Sequence, residues 1–134
     1  MIEEETCWTA EDENNLILNQ IDRAILSLLQ DRVILELHRI ELLQLDPVEA
    51  TPHWRKKNGI PRYLYLLHPT DGEGVRRRQY VGSKPEKTQT ALRQVQAHRD
   101  LVEVDDQIND ITARLDATDR LLQAALRVAS SSNP

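Results

Sequence analysis

The pattern of apolar and polar positions in the first third of the chain is typical of a long amphipathic helix. Leu18, Ile21, Ile25 and Leu28 recur at spacings of three and four, which places them on one face of a helix. Further apolar residues widen this face beyond what one partner helix would cover. The width of the face indicates a helical bundle or self-association.

Both ends of this helix are marked in the sequence. Thr9 can accept a hydrogen bond from the amide of Asp12 as an N-cap. Asp46-Pro47 should end the helix, because proline lacks an amide and restricts the residue before it. We therefore predict a helix over residues 9–45, preceded by a loose acidic leader over residues 1–8.

A second amphipathic pattern occupies the last third of the chain and predicts a helix over residues 83–128, followed by a polar tail over 129–134. Its apolar stripe has heptad spacing. Nearer the start of the helix the stripe shifts to Ala91 and Val95, which indicates a stutter. The predicted oligomerisation surface combines both helices: Leu18, Ile21, Ile25, Leu28, Leu101, Val104, Ile108, Ile111, Leu115 and Leu122.

Between the helices the apolar period changes to that of strands. The run from Arg62 to Leu67 and the run from Val75 to Val81 are rich in strand formers, and they flank a turn that contains proline and glycine. We predict a β-hairpin over residues 62–82, after a connector over residues 46–61. An isolated hairpin is marginal in water, so this one needs packing against the helices.

Together these elements predict a mainly α fold in a single domain of 134 residues. Two long amphipathic helices should form an antiparallel helical hairpin or coiled coil, with the β-hairpin at the connecting end. The layout resembles that of prefoldin β-type subunits, in which hairpins assemble into a platform and coiled coils project from it. That resemblance implies a chaperone-like or assembly subunit.

Charge is unevenly distributed along the chain. The net charge is −5, but residues 51–87 contain nine basic and three acidic residues, a net +6 that leaves −11 for the remainder. Four of the five aromatic residues also fall in this basic segment. An acidic body with a basic, aromatic centre indicates a charged ligand for the hairpin.

The basic and aromatic residues are therefore candidates for binding. Cations neutralise phosphates, flat rings stack on bases, and a two-stranded ribbon can enter a major groove. Two alternatives remain open: an acidic protein as the ligand, or a structural role in which the arginines pair with the acidic helices. The candidate residues are Trp54, Arg55, Lys56, Lys57, Arg62, Tyr63, Tyr65, Arg76, Arg77, Arg78 and Lys84.

Two short motifs resemble those of GIY-YIG endonucleases. Gly59-Ile60 and Tyr80-Val81-Gly82 are followed by Arg93 and His98. In that family a Tyr, an Arg and a metal-bound Glu act on a phosphodiester. Here Pro61 stands where the first motif has Tyr, and the helix that follows leaves no room for a catalytic Glu. The resemblance implies a nuclease, which is kept as a remote alternative.

A second resemblance rests on Tyr63-Leu64-Tyr65-Leu66 and Arg76-Arg77-Arg78-Gln79-Tyr80-Val81, with the glycine-bearing turn between them. This arrangement is similar to that of small uncharacterised bacterial and mobile-element coiled-coil proteins. The resemblance covers residues 54–105 at most. It implies the hairpin but no activity.

We therefore expect a non-enzymatic, cytoplasmic coiled-coil protein without membrane association. It should form a homo-oligomer or pair with a coiled-coil partner, and bind nucleic acid through the hairpin, as a binding or nucleoprotein-assembly factor. The alternative is a protein-binding adaptor or prefoldin-like subunit with an acidic protein partner. No catalytic residue, metal or cofactor is expected, because the four histidines lack metal-binding spacing and no glycine-rich phosphate loop opens a helix.

Overall fold

The computed structural model describes residues 9–131, which form two helices and one antiparallel sheet. The mainly helical class is confirmed, and the predicted hairpin is present as the second and third strands. The predicted leader and the end of the predicted tail lie outside the described residues. The elements in chain order are α1 (Ala10–Leu43), β1 (Thr51–Lys57), β2 (Ile60–Thr70), β3 (Arg76–Gly82) and α2 (Pro85–Ser130).

The connector predicted over residues 46–61 is wrong, because most of it is strand β1 and the turn into β2. β1 pairs antiparallel with β2 along its whole length, so the sheet has three strands in the order β1-β2-β3. The residues between β1 and β2 are Asn58 and Gly59, with φ values of 53° and 77°. Positive φ at both positions is the requirement of a type I′ hairpin turn.

Two prolines explain why the sequence predicts a loop where β1 and the start of β2 lie, since proline is rare inside a sheet. Pro52 lies in β1, which is an edge strand. Pro61 lies beside a shift in register between Arg55 and Lys56. Edges and irregularities are the places where a sheet accommodates a residue without an amide, so the pairing continues past both prolines.

The described residues divide into two compact units. One unit consists of residues 35–109: the end of α1, the whole sheet and the first part of α2. The other contains residues 10–34 of α1 and residues 110–130 of α2.

The core of the unit 35–109 lies between the sheet and α2. Leu64 and Leu66 of β2 form a cluster with Ala91 and Val95 of α2, and Leu64 has no exposed surface. Alternation along β2 puts both leucines on the same face. Burial of each leucine contributes roughly 1.5–3 kcal/mol. This core determines which face of the sheet is covered.

α2 has a second apolar face within the same unit. Ala97 and Val104 form a cluster with Leu42 of α1. Nearby, Arg39 Nε donates to Asp105 Oδ1 at 2.7 Å; both side chains are 43% exposed, so this ion pair contributes at most about 1 kcal/mol. The shift of the apolar stripe along α2 coincides with its two faces: Ala91 and Val95 pack on the sheet, whereas Ala97 and Val104 pack with Leu42.

Local interactions set both ends of α1. The predicted N-cap is confirmed: Asp12 N donates to Thr9 Oγ1 at 3.2 Å, and Thr9 N donates to Asp12 Oδ2 at 3.0 Å. These reciprocal bonds form a capping box with Asp in place of Glu. At the other end the helix stops at Leu43, and Asp46 has a φ of 53° immediately before Pro47.

The predicted oligomerisation residues differ in exposure. Val104 and Ile111 are buried. Leu101 and Ile108 pack beside the cluster around Leu42. By contrast, two members are exposed, Leu18 at 54% and Leu122 at 37%. The half-buried members are Ile21, Ile25, Leu28 and Leu115.

Candidate functional site

One face of the sheet carries a row of aromatic rings. Residues paired across antiparallel strands project from the same face. His53 pairs with Tyr65, and Tyr65 pairs with Tyr80, so the row crosses all three strands. It lies opposite the buried Leu64 and Leu66. We name this surface the aromatic face, and its members are His53, Arg55, Tyr63, Tyr65, Arg78 and Tyr80.

The rings of the aromatic face contact one another and a guanidinium group. The centroids of Tyr65 and Tyr80 are 5.1 Å apart, with the planes tilted by 53°, which is a favourable arrangement for an aromatic pair. The guanidinium carbon of Arg78 lies 4.4 Å from the centroid of Tyr65, within cation–π range. Tyr80 is 57% exposed, so much of its ring faces solvent.

A shallow depression brings these rings beside cations from the β1–β2 hairpin. Strand β1 supplies the cations, because its last residues are basic and lead into the tight turn at Asn58-Gly59. β2 and β3 supply the rings through their alternation. The residues that line the depression are Arg55, Lys56, Lys57, Tyr63, Tyr65 and Tyr80.

Within the described part of the chain, the positive charge of the sheet has no acidic partner. The three strands contain seven basic residues and no acidic residue. Within residues 9–131, none of these seven forms an ion pair with Asp or Glu. The charge is therefore available to solvent or to an anionic ligand. The seven residues are Arg55, Lys56, Lys57, Arg62, Arg76, Arg77 and Arg78.

Trp54, a predicted binding residue, lies away from the aromatic face. It pairs with Leu64 and therefore projects from the side of the sheet that packs on α2. Its exposed fraction is 38%. The structure thus separates Trp54 from Tyr63 and Tyr65, which the sequence had grouped with it.

Other predicted binding residues lie at the border of the sheet. Arg62 has its guanidinium carbon 5.9 Å from the ring centroid of Tyr63. Arg76 Nε donates to the carbonyl oxygen of His68 at 3.1 Å, which holds this side chain beside the β2–β3 turn. The remaining two, both exposed, are Arg77 and Lys84.

Two members of the aromatic face, His53 and Tyr80, were not among the predicted binding residues. His53 lies in β1, where the sequence predicted a connector. The signal that could have found it is Asn58-Gly59, a dipeptide typical of two-residue hairpins. Tyr80 belongs to the face because it pairs with Tyr65. The register between β2 and β3 cannot be deduced from the sequence of either strand alone.

The residues that resemble GIY-YIG motifs lie on different elements. Gly59 is in the β1–β2 turn, Tyr80 is on the aromatic face, and Arg93 and His98 are on α2. Arg93 is exposed and His98 is half-buried. Among residues 9–131 there is no group of three or more His, Cys, Asp or Glu side chains that could hold a metal ion.

Comparison of this chain with protein-family models, with curated proteins and with solved structures finds no match. In the described part of the chain, neither helix is long and apolar enough to cross a membrane.

Proposed function

We propose that this protein is a non-enzymatic nucleic-acid-binding protein whose ligand lies on the aromatic face. The observation that carries the proposal is that seven sheet cations have no acidic partner among residues 9–131, and that three of them line one depression together with three tyrosines. Cations that are already paired would gain little from a phosphate. Unpaired cations release the counterions of the nucleic acid when they bind it, which favours association.

The proposal is tested by the salt dependence of binding. Wild-type protein should bind a labelled nucleic acid at low salt, and the slope of log K against log salt reports the number of phosphates neutralised. The double variant Arg55→Ala/Lys57→Ala should reduce the magnitude of that slope by about 1.4–1.8, since each of the two contacts contributes about 0.7–0.9. The measurement is fluorescence anisotropy across a salt series.

The matched control removes the same charge from a helix. Arg120→Ala/Arg127→Ala changes two exposed arginines of α2 and should leave the slope unchanged. Equal effects of the two double variants would mean that net charge, and not the aromatic face, drives binding. Absence of binding at low salt to single-stranded and duplex DNA and RNA would overturn the proposal.

The helices supply the second part of the proposal. We propose that α1 and α2 form an antiparallel helical hairpin and that the protein self-associates through α1. The clusters described above support the pairing: Leu42 packs with Ala97 and Val104, and within the other unit Ile25 and Leu115 line one depression. Self-association would place several aromatic faces on one nucleic acid and raise the avidity of binding.

An adaptor that binds protein is the second candidate function. The strand order leaves the outer edges of β1 and β3 without a neighbouring strand among the described residues. Such edges can accept a strand from a partner through main-chain hydrogen bonds. This candidate predicts an acidic polypeptide as the ligand, and it replaces the first one if nucleic acid fails to bind.

A further inference from the structure

The aromatic face presents arginines but no carboxamide to the edges of bases. Readout in a groove relies on side chains that hydrogen-bond to base edges: Arg or Lys for guanine, and the bidentate amides of Asn or Gln for adenine. Gln79 is the one carboxamide in the three strands. It pairs with Leu66 and so projects from the packed side, and its Oε1 is 2.8 Å from His68 Nε2.

The rings are arranged for contact with the faces of bases instead. Strands are about 4.8 Å apart, so the row formed by His53, Tyr65 and Tyr80 extends over roughly 10 Å. Sheets with exposed aromatics stack two or three bases over such a span. A base in a duplex has both faces covered by its neighbours, whereas a base in a single strand can turn one face to a ring.

Arg78 extends this stacking surface. Its guanidinium carbon lies over the ring of Tyr65, 4.4 Å from the centroid, and guanidinium planes stack bases as aromatic rings do. Tyr80, at 57% exposure, is more open than Tyr63 and Tyr65, which are half-buried. The cations of β1 border the same depression, where they can neutralise the phosphates of a strand whose bases lie on the rings.

We infer that the ligand of the aromatic face is a single-stranded nucleic acid, with bases stacked on Tyr80 and on the guanidinium of Arg78, which lies over the ring of Tyr65. This inference rests on the proposed function, because it assumes that the face binds nucleic acid. It adds the class of ligand. It also assigns most of the preference for a single strand over a duplex to the ring of Tyr80.

The test compares labelled oligothymidylate with a hairpin duplex of equal nucleotide number at low salt. Wild-type protein should bind the single strand at least about 10-fold more tightly. Tyr80→Leu, which removes a ring but keeps an apolar side chain, should weaken single-strand binding about 10-fold, the contribution of one stacked base. Binding of the duplex should not change with this variant.

Two control variants separate stacking from general damage. Tyr80→Phe keeps the ring and should bind as the wild type does. Trp54→Leu removes a ring from the opposite side of the sheet and should also leave the affinity within about two-fold, well below the effect of one stacked base. Should Tyr80→Leu lose its folded circular dichroism spectrum, an oligonucleotide of abasic sites replaces it as the test, and wild-type protein should bind that strand about 10-fold more weakly than oligothymidylate.

The outcomes distinguish this inference from the proposed function. Duplex binding as tight as single-strand binding, or equal losses with Tyr80→Leu and Trp54→Leu, would overturn the single-strand inference and leave nucleic-acid binding in place. Equal affinity for abasic and normal strands would likewise overturn the single-strand inference alone. Failure to bind either ligand at low salt would overturn both.

Discussion

At the scale of single residues, the turn between β1 and β2 depends on backbone conformation. Asn58 and Gly59 both have positive φ, a region that most residues avoid and that glycine enters without cost. No atom lies within 4 Å of the position that a Cβ on Gly59 would occupy. Any cost of a side chain at this position is therefore backbone strain and not a collision.

We predict that Gly59→Ala destabilises the fold by about 1–2 kcal/mol, the cost of placing an L-residue in the left-handed region. Urea unfolding followed by circular dichroism measures this change. Gly72→Ala is the matched control, since Gly72 also has open space around it but does not have a positive φ in the left-handed range. A loss as large in the control would show that the strain assigned to residue 59 is not the cause.

At the scale of elements, each helix end and strand pairing has its own chemical basis. The start of α1 is held by the capping box between Thr9 and Asp12. The hydrogen bond from the Thr9 amide, followed by that from its hydroxyl, lowers the pKa of Asp12 below its ordinary value of 3.8. A carboxylate with a lowered pKa stabilises the folded form above that ordinary value and loses its contribution as the pH falls through the lowered one.

We therefore expect the first turn of α1 to fray in acid, below about pH 4. Amide chemical shifts of Asp12 and Glu13 in an NMR titration follow this change directly. Asp12→Asn should reduce the response of the first turn to pH in this range, since it removes one of the three carboxyl groups there. A titration of the Asp12 carboxyl at or above its ordinary pKa would contradict the capping-box explanation.

At the scale of the whole molecule, the proposed self-association depends on the exposed apolar residues of α1. In residues 10–34, α1 exposes Leu26, Leu29 and Val33, which recur at spacings of three and four. In the unit 35–109 it exposes Leu37 and Ile40, three residues apart. These differ from most of the predicted oligomerisation residues, several of which pack within the chain. The proposed self-association through α1 should use the exposed set.

We predict that Leu26→Glu/Val33→Glu lowers the molar mass found by light scattering to that of one chain, because the added charges would be buried in the interface. The control is Gln20→Glu/Gln30→Glu, which adds the same charge at exposed polar positions of α1 and should keep the mass of the wild type. A wild-type protein that is monomeric at micromolar concentrations would refute self-association.

Much of this protein follows from its sequence by local reasoning. The apolar periods place the helices and the β2–β3 hairpin, Thr9 and Asp46-Pro47 mark the ends of α1, and simple counting locates the basic segment. These features depend on interactions within a few residues along the chain, such as caps, turns and helical spacing. Sequence patterns therefore describe them well.

The tertiary structure decided what the basic segment can do. β1 became a strand only by pairing with β2, and that register put His53 beside Tyr65 while it turned Trp54 to the other side. Packing of Leu64 and Leu66 on α2 left the aromatic face uncovered by α2. Each of these outcomes depends on contacts between distant residues, and a shift of one position in register would reverse the faces. The sequence by itself therefore determined the elements and their charge, whereas pairing and burial determined which rings and cations share a surface.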